Sequence, residues 1–126
     1  MERVELLRTI PGVGEVCALT WALEIGEPER FPAIGNAVSY CGLCSAQDSS
    51  AGVDKRGAIS KQRNKHLQHI LIECAKLAPN YNEDLARVRA RYEDKVHRNY
   101  ATIAVARKLV AYLLAVDKRR TPFEVR

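Results

Sequence analysis

Apolar residues recur at helical spacing along most of the chain, and they predict a series of α-helices. The broadest apolar stripe predicts a central core helix over residues 99–117, and it consists of Ile103, Ala106, Leu109, Val110, Leu113 and Leu114. Residues 83–96 predict another helix with Asn82 as its cap, and residues 60–78 predict one that begins at Ser60. No stretch alternates as a half-buried strand does. The predicted fold class is therefore all-α, in one compact domain over residues 1–126 with a three-helix core in 60–126.

The N-terminal residues 1–26 have the pattern of a helix-hairpin-helix. A short apolar helix over 4–10 is followed by the turn Pro11-Gly12-Val13-Gly14 and by a second helix whose predicted apolar face is Val16, Cys17, Thr20 and Leu23. Two glycines leave backbone N–H groups bare at the start of the second helix, where the helix dipole favours a phosphate. We therefore expect Gly12, Val13 and Gly14 to contact DNA. The alternative is an ordinary helical turn in which the glycines only allow the backbone to bend. The negative charge of Glu15 beside the turn is unfavourable for phosphate binding.

A short helix from about Ala33 to Tyr40 is predicted next, with Phe31 and Tyr40 in the core and Gly42 as its C-terminal cap. It is followed by a polar loop, residues 45–60, that is too long to be a simple connector in so small a domain. Ser49 and Ser50 lie in this loop. A serine in such a setting can be a nucleophile, a phosphate ligand or a helix cap.

Basic residues follow these two serines. Lys55, Arg56 and Lys61 supply charge that suits phosphate oxygens, and Arg63 and Lys65 continue it into the next helix. Glycines at positions 52 and 57 allow the backbone to approach a ligand closely. We expect this basic segment to bind DNA.

The neighbouring histidines, His66 and His69, could ligate a metal, but no carboxylate or thiolate lies at a matching spacing. Solvated or phosphate-facing histidines are the favoured interpretation.

Composition adds a preference for an anionic partner. The chain has 126 residues, a formal net charge of +5 and an isoelectric point of about 9.2, which favours nucleic acid. Four cysteines without a signal peptide or a long apolar run predict a reduced cytoplasmic protein with no disulfides and no membrane association. Cys41 and Cys44 have the spacing of a metal knuckle or redox pair, but no second knuckle follows. Buried apolar cysteines are the favoured interpretation, and no metal site is predicted in this chain.

Seven short motifs follow one another along almost the whole chain. They are Ile10 to Gly14, Phe31, Tyr40 to Leu43, Ser49 to Gly52, Gly57 to Lys61, Asn64 to Leu67 and Ala104 to Leu109. In this order and spacing they resemble the C-terminal transposase domain of the bridge-RNA-guided insertion-sequence transposases of the IS one-ten type. The chain departs from the usual family residues at four positions, with Cys44 for proline, Ala51 for glycine, Arg63 for glycine and Gln68 for arginine.

The resemblance implies a role in DNA cleavage and strand exchange. It implies that Ser50, with Ser49 as the alternative, attacks a DNA phosphodiester to form a phosphoserine link. It also implies that this chain is a fragment, inactive alone, and that a RuvC-like domain elsewhere in the protein holds a divalent metal such as Mg²⁺. The implied partners are DNA, a bridge RNA and further copies of the protein, in the bacterial cytoplasm at the nucleoid.

Two non-catalytic alternatives are compatible with the sequence. The first is a helix-hairpin-helix module that grips the nucleic-acid backbone without cleaving it. The second is an oligomerisation domain whose interface is the apolar C-terminal helix.

Overall fold

The computed structural model describes residues 2–43, 64–95 and 98–123. Within these ranges the chain folds into six α-helices and contains no strand, which confirms the predicted all-α class. The helices are α1 (Glu2–Leu7), α2 (Glu15–Ile25), α3 (Ile34–Tyr40), α4 (Lys65–Leu77), α5 (Glu83–Lys95) and α6 (Arg98–Arg119), with 3-10 turns at Pro28–Arg30 and Ala78–Asn80. None of the helices in this part of the chain has the length and apolar content needed to cross a bilayer.

Helix α6 is the centre of the fold. It packs against α1, α3, α4 and α5, and its apolar side chains Leu109, Val110 and Leu113 are fully buried. This confirms the predicted stripe, because a helix in contact with four others must be apolar around much of its circumference. The same packing uses the stripe within one chain, so it is not available as the oligomer interface that the sequence alone allowed.

Helix α5 begins where its cap was predicted. The Asn82 side-chain Oδ1 accepts hydrogen bonds from the backbone N–H groups of Asp84 (3.1 Å) and Leu85 (3.3 Å). Helix α4, in contrast, begins later than predicted. Asn64 is extended and its Oδ1 accepts from the N–H of Leu67 at 2.9 Å, so Asn64 is the cap and the predicted helix start at Ser60 is wrong. Ser60 itself lies outside the described residues.

Helix α2 buries Cys17, as predicted, but the rest of its buried face differs from the prediction. Cys17, Ala18, Trp21 and Ile25 are its buried residues. Val16 and Leu23, assigned to the inner face from the sequence, are 65% and 72% exposed. The prediction failed because apolar residues lie all around this helix, so the pattern alone does not define which side faces the core.

One buried ion pair joins the first helix to the last. The Asp117 carboxylate is 5% exposed and accepts two hydrogen bonds from the Arg3 guanidinium, at 2.8 and 2.7 Å. It also accepts the indole N–H of the fully buried Trp21 at 2.9 Å. Three helices, α1, α2 and α6, therefore meet at one carboxylate. No local sequence pattern predicts this contact.

Helix α3 ends as predicted. Gly42 has φ +72°, its N–H donates to the carbonyl of Ser39 and the N–H of Leu43 donates to the carbonyl of Val38, both at 3.0 Å. This is the pattern of a Schellman cap, which needs a residue that tolerates positive φ. The cap turns Leu43 into the core, where it is fully buried. Phe31 is buried too, as predicted, and its ring contacts that of the half-buried Tyr40 with centroids 5.4 Å apart.

Candidate nucleic-acid interface

The turn between α1 and α2 is fastened to the end of α4. The Pro11 carbonyl accepts a hydrogen bond from Asn82 Nδ2 at 3.1 Å, and the Gly12 carbonyl accepts one from Cys74 Sγ at 3.4 Å. Gly12 has φ +96°, and a Cβ placed on it would lie 2.7 Å from the Cβ of Ala78. Only glycine fits this position, both for its backbone angle and for the close approach to Ala78.

This fastening also determines the direction of the backbone N–H groups of the turn. In a trans peptide the N–H points opposite to the C=O, so the N–H of Gly12 points away from Asn82. The N–H of Val13 donates to the carbonyl of Ile10 at 3.0 Å, and the Val13 side chain is only 6% exposed. Of the three predicted contacts, Val13 therefore has neither an exposed side chain nor an unused N–H to offer, whereas the N–H of Gly12 points away from Asn82.

Gly14 is the most open residue of the turn. It is exposed, it stands immediately before α2, and a Cβ placed on it would meet no atom within 4 Å. No side chain caps this helix start. The first N–H groups of α2 have no partner within the helix and are oriented as a phosphate requires. Glu15 is exposed beside them, as the sequence suggested.

A second structural feature lies at the two ends of the predicted serine loop. We define the loop neck as Tyr40 and Gly42 on one side and Asn64 and Gln68 on the other. The Asn64 N–H donates to the Tyr40 carbonyl at 2.8 Å, and Gln68 Nε2 donates to the Gly42 carbonyl at 2.8 Å. A weaker third contact runs from Asn64 Nδ2 to the Tyr40 hydroxyl at 3.4 Å, so these hydrogen bonds hold together the chain before and after residues 44–63.

Glu24 of α2 completes the loop neck. Asn64 Nδ2 donates to its carboxylate at 2.6 Å, and the Tyr40 hydroxyl donates to its backbone carbonyl at 3.4 Å. The ring of Tyr40 is also covered by the guanidinium of Arg30, 4.8 Å from its centroid. Glu24 was not predicted as a site residue because its partners lie far along the chain. An acidic residue in an otherwise apolar stretch indicates only that its side chain is exposed to solvent.

The predicted basic residues are only partly described. Lys65 and His66 are exposed on the first turn of α4, and His69 is exposed on the next turn. Ser49, Ser50, Lys55, Arg56, Lys61 and Arg63 lie outside the described residues. Within the described ranges, no three histidine, cysteine or acidic side chains lie close enough together to hold a metal ion.

The described cysteines are free thiols. A hydrogen bond with Cys74, together with burial, raises the pKa of Cys17, and the same hydrogen bond lowers the pKa of Cys74. Burial raises the pKa of Cys41 to about 12. Cys17 and Cys41 are thus protonated, buried and apolar in character, which agrees with the interpretation favoured from the sequence. Cys44 lies outside the described residues.

Comparison with known proteins identifies the class of this chain. Residues 4–93 match the model of the transposase IS116/IS110/IS902 family. The transposase for insertion sequence element IS1328 of Yersinia enterocolitica is 28% identical over 97% of this chain and 38% of its own length. The pilin gene-inverting protein of Moraxella bovis is 27% identical over 98% of this chain and 39% of its own length.

A third relative, the putative transposase y4qE of Sinorhizobium fredii, is 35% identical over 55% of this chain and 18% of its own length. No solved structure matches the chain. The all-helical fold and these matches define a domain of the transposase class. The chain belongs to the IS116/IS110/IS902 family of transposases. It spans less than two fifths of the curated relatives that match almost all of it.

Proposed function

We propose that this chain is the serine-nucleophile domain of a transposase, with Ser50 as the attacking residue and Ser49 as the alternative. Family membership supports a recombinase role in general. The resemblance of Ser49 to Gly52 to the family motif supports the particular serine. In this proposal the domain acts in DNA cleavage and strand exchange with a RuvC-like domain elsewhere in the full-length protein.

The observation that carries the proposal is the loop neck. Phosphoryl transfer depends on placing a nucleophile accurately against the phosphorus, since the protein contributes mainly position and charge. A serine on a long segment needs that segment to start and end at fixed points. Tyr40 bonded to Asn64 and Gly42 bonded to Gln68 supply two such points, and the Schellman cap at Gly42 fixes the direction in which the chain leaves α3.

The proposed reaction keeps the phosphodiester energy. The Ser50 Oγ forms a bond to phosphorus, the bond from phosphorus to the leaving deoxyribose oxygen breaks, and the serine proton passes through solvent or a base to that oxygen. A divalent metal such as Mg²⁺, expected in the RuvC-like domain, would supply charge stabilisation when bound. Lys55, Arg56, Lys61 and Arg63 are the candidates to hold the phosphate oxygens. The reverse reaction with another strand completes the exchange.

The remaining parts of the proposal concern partners. Gly12 and Gly14 present backbone N–H groups to a DNA phosphate, and Lys65 adds charge at the start of α4. The full-length protein works as a homo-oligomer with a bridge RNA, in the cytoplasm at the nucleoid.

The test uses the full-length protein with its bridge RNA and a labelled DNA substrate. Wild type is expected to give a covalent protein–DNA adduct that survives denaturation, and Ser50→Ala to abolish it. Ser60→Ala, a serine of the same segment, is the matched control and should keep the adduct. An undiminished adduct in Ser50→Ala and its loss in Ser49→Ala would move the nucleophile to Ser49. An adduct that persists in both variants overturns the serine mechanism.

A second candidate function is supported by the open start of α2. A hairpin with an exposed Gly14 and no side-chain cap can hold a DNA backbone without any catalytic serine. Such binding would accompany the catalytic role or replace it in a copy that has lost activity.

A further inference from the structure

A pocket of about 410 Å³ lies between the first turn of α5, the C-terminal half of α6 and the segment that follows α6. Its volume is in the range of sites that hold small molecules, about 300–1,000 Å³. Its lining includes Asp84, Lys108, Tyr112, Val116, Arg119 and Phe123. The pocket shares no residue with the hairpin turn or the loop neck.

Two aromatic rings form one wall of this pocket. The ring centroids of Tyr112 and Phe123 lie 5.0 Å apart with an interplanar angle of 63°, in an edge-to-face arrangement. Both side chains are only half-buried, so ring surface stays available to a ligand. Phe123 is held in place because its N–H donates to the hydroxyl of Thr9 at 2.8 Å. The buried Val116 also lines the pocket and adds apolar surface.

Basic side chains surround this aromatic pair. The Lys108 ammonium lies 5.5 Å from the centroid of Tyr112, and Arg119 lines the pocket from the next turns of α6. One acid, Asp84, is also present, but it forms an ion pair with Arg87 of the same helix. Burial and the neighbouring Asp84 raise the pKa of Tyr112, so its ring stays uncharged at neutral pH. Among the described residues neither Lys108 nor Arg119 forms an ion pair, so this part of the chain combines planar apolar surface with positive charge in one pocket.

We propose that this pocket binds one unpaired nucleotide of a single-stranded nucleic acid. The base stacks on the exposed ring surface of Phe123 or Tyr112, and the phosphate lies beside Lys108 and Arg119. A nucleotide joins a planar base to an anionic phosphate. Stacking of bases on aromatic side chains is how proteins hold single strands regardless of sequence. The inference does not depend on Ser50, because it concerns binding alone.

The test is fluorescence anisotropy with this chain and a labelled oligothymidylate, in parallel with an oligouridylate and an abasic oligomer of the same length. Phe123→Leu is expected to weaken oligothymidylate binding about fivefold or more and to leave binding of the abasic oligomer unchanged. Tyr81→Leu is the matched control, since Tyr81 is an aromatic residue that is 73% exposed outside the pocket. Lys108→Gln is expected to weaken both oligomers and to lower the salt dependence.

The ribose of oligouridylate and the deoxyribose of oligothymidylate distinguish the source of the strand. If Phe123→Leu weakens oligouridylate binding more, the strand is RNA, and if it weakens oligothymidylate binding more, the strand is DNA. Thermal unfolding shows whether each variant is folded. If Phe123→Leu is not folded, NMR of wild type replaces it, and the ring protons of Tyr112 and Phe123 should shift with oligothymidylate but not with the abasic oligomer. Equal affinity of wild type for both oligomers, or unshifted rings, overturns the proposal. Neither result bears on the covalent adduct.

Discussion

Gly12 serves two purposes that a sequence motif cannot separate. Its Cα packs against Ala78, and its own N–H points away from Asn82 at the turn where a phosphate contact is proposed. Gly14, two residues on, has open space around it. In the Pro-Gly-Val-Gly motif, the packing of the fold therefore requires the glycine at Gly12 but does not require the one at Gly14.

The first prediction follows from this difference. Gly12→Ala places a Cβ 2.7 Å from that of Ala78 at a φ of +96°, and we expect it to lower the free energy of unfolding by about 2–4 kcal/mol. The matched control is Gly35→Ala on the exposed side of α3, where a Cβ meets nothing within 4 Å; it should raise stability by about 0.5–1 kcal/mol. Urea denaturation followed by circular dichroism measures both. Equal stability of the two variants would contradict the packing argument.

Residues whose role depends on near neighbours in sequence were predictable. Asn82 caps α5 and Gly42 ends α3 because each acts within a few residues of itself. Asp117 was not predictable in this way. A lone acid near the end of an apolar helix is usually solvated, and only the fold brings Arg3 and Trp21 to it.

At the scale of helices, those with a clear polar side were predicted best. Helix α5 alternates apolar and charged residues at helical spacing, and its start at the Asn82 cap agrees with the prediction. Helix α2 lacks a polar side, so its buried face was assigned wrongly and Trp21 was overlooked. The start of α4 was predicted too early because Ser60 and Asn64 are both good capping residues, and the loop neck favours Asn64.

The loop neck gives a prediction for the function of an element. Gln68→Ala removes the hydrogen bond to the Gly42 carbonyl, and we expect strand exchange by the full-length protein to fall about tenfold or more while stability changes by less than about 1 kcal/mol. The reason is that the link between Gln68 and Gly42 is lost, whereas Asn64 keeps its bond to Tyr40 and still caps α4.

His66→Ala is the control for this experiment, since His66 is exposed on the same helix. Adduct formation and thermal unfolding are measured on the same samples. Full activity in Gln68→Ala would show that the neck holds the chain together without serving the chemistry.

At the scale of the whole molecule, a net charge of +5 favours attraction to DNA, but position matters more than the sum. Lys65 is exposed at the start of α4 without a described ion pair, whereas Lys76 near the other end of α4 is paired with Glu73 at 3.0 Å. The two lysines lie on one helix, but only the Lys65 ammonium is without a described ion pair and so available to a phosphate.

The third prediction uses this pair of lysines. Lys65→Gln is expected to weaken binding of duplex DNA by this chain and to reduce the slope of log affinity against log salt by about 1, because one phosphate contact is lost. Lys76→Gln should leave the slope unchanged, and so should Ser50→Ala. Filter binding or anisotropy over a range of salt concentrations gives the slopes. Identical slopes for the two lysine variants would place the DNA elsewhere on the surface.

The fold class and the central helix followed from the sequence, because a broad apolar stripe needs other helices around it. The contacts that assemble the site did not. Gly12 against Ala78, Tyr40 with Asn64 and Arg3 with Asp117 join residues far apart in the chain, and no local pattern encodes such pairs.

The hairpin depends on contacts with residues of the same chain that are synthesised after it. Its turn is fastened by Cys74 and Asn82, and the helices on either side of it share Asp117. While these residues are still inside the ribosome, the turn lacks its hydrogen bonds to Cys74 and Asn82, and Trp21 lacks the Asp117 acceptor for its indole N–H. A nascent or prematurely ended chain therefore cannot present a finished hairpin to DNA, so the proposed grip on a target forms only when synthesis of this domain is complete.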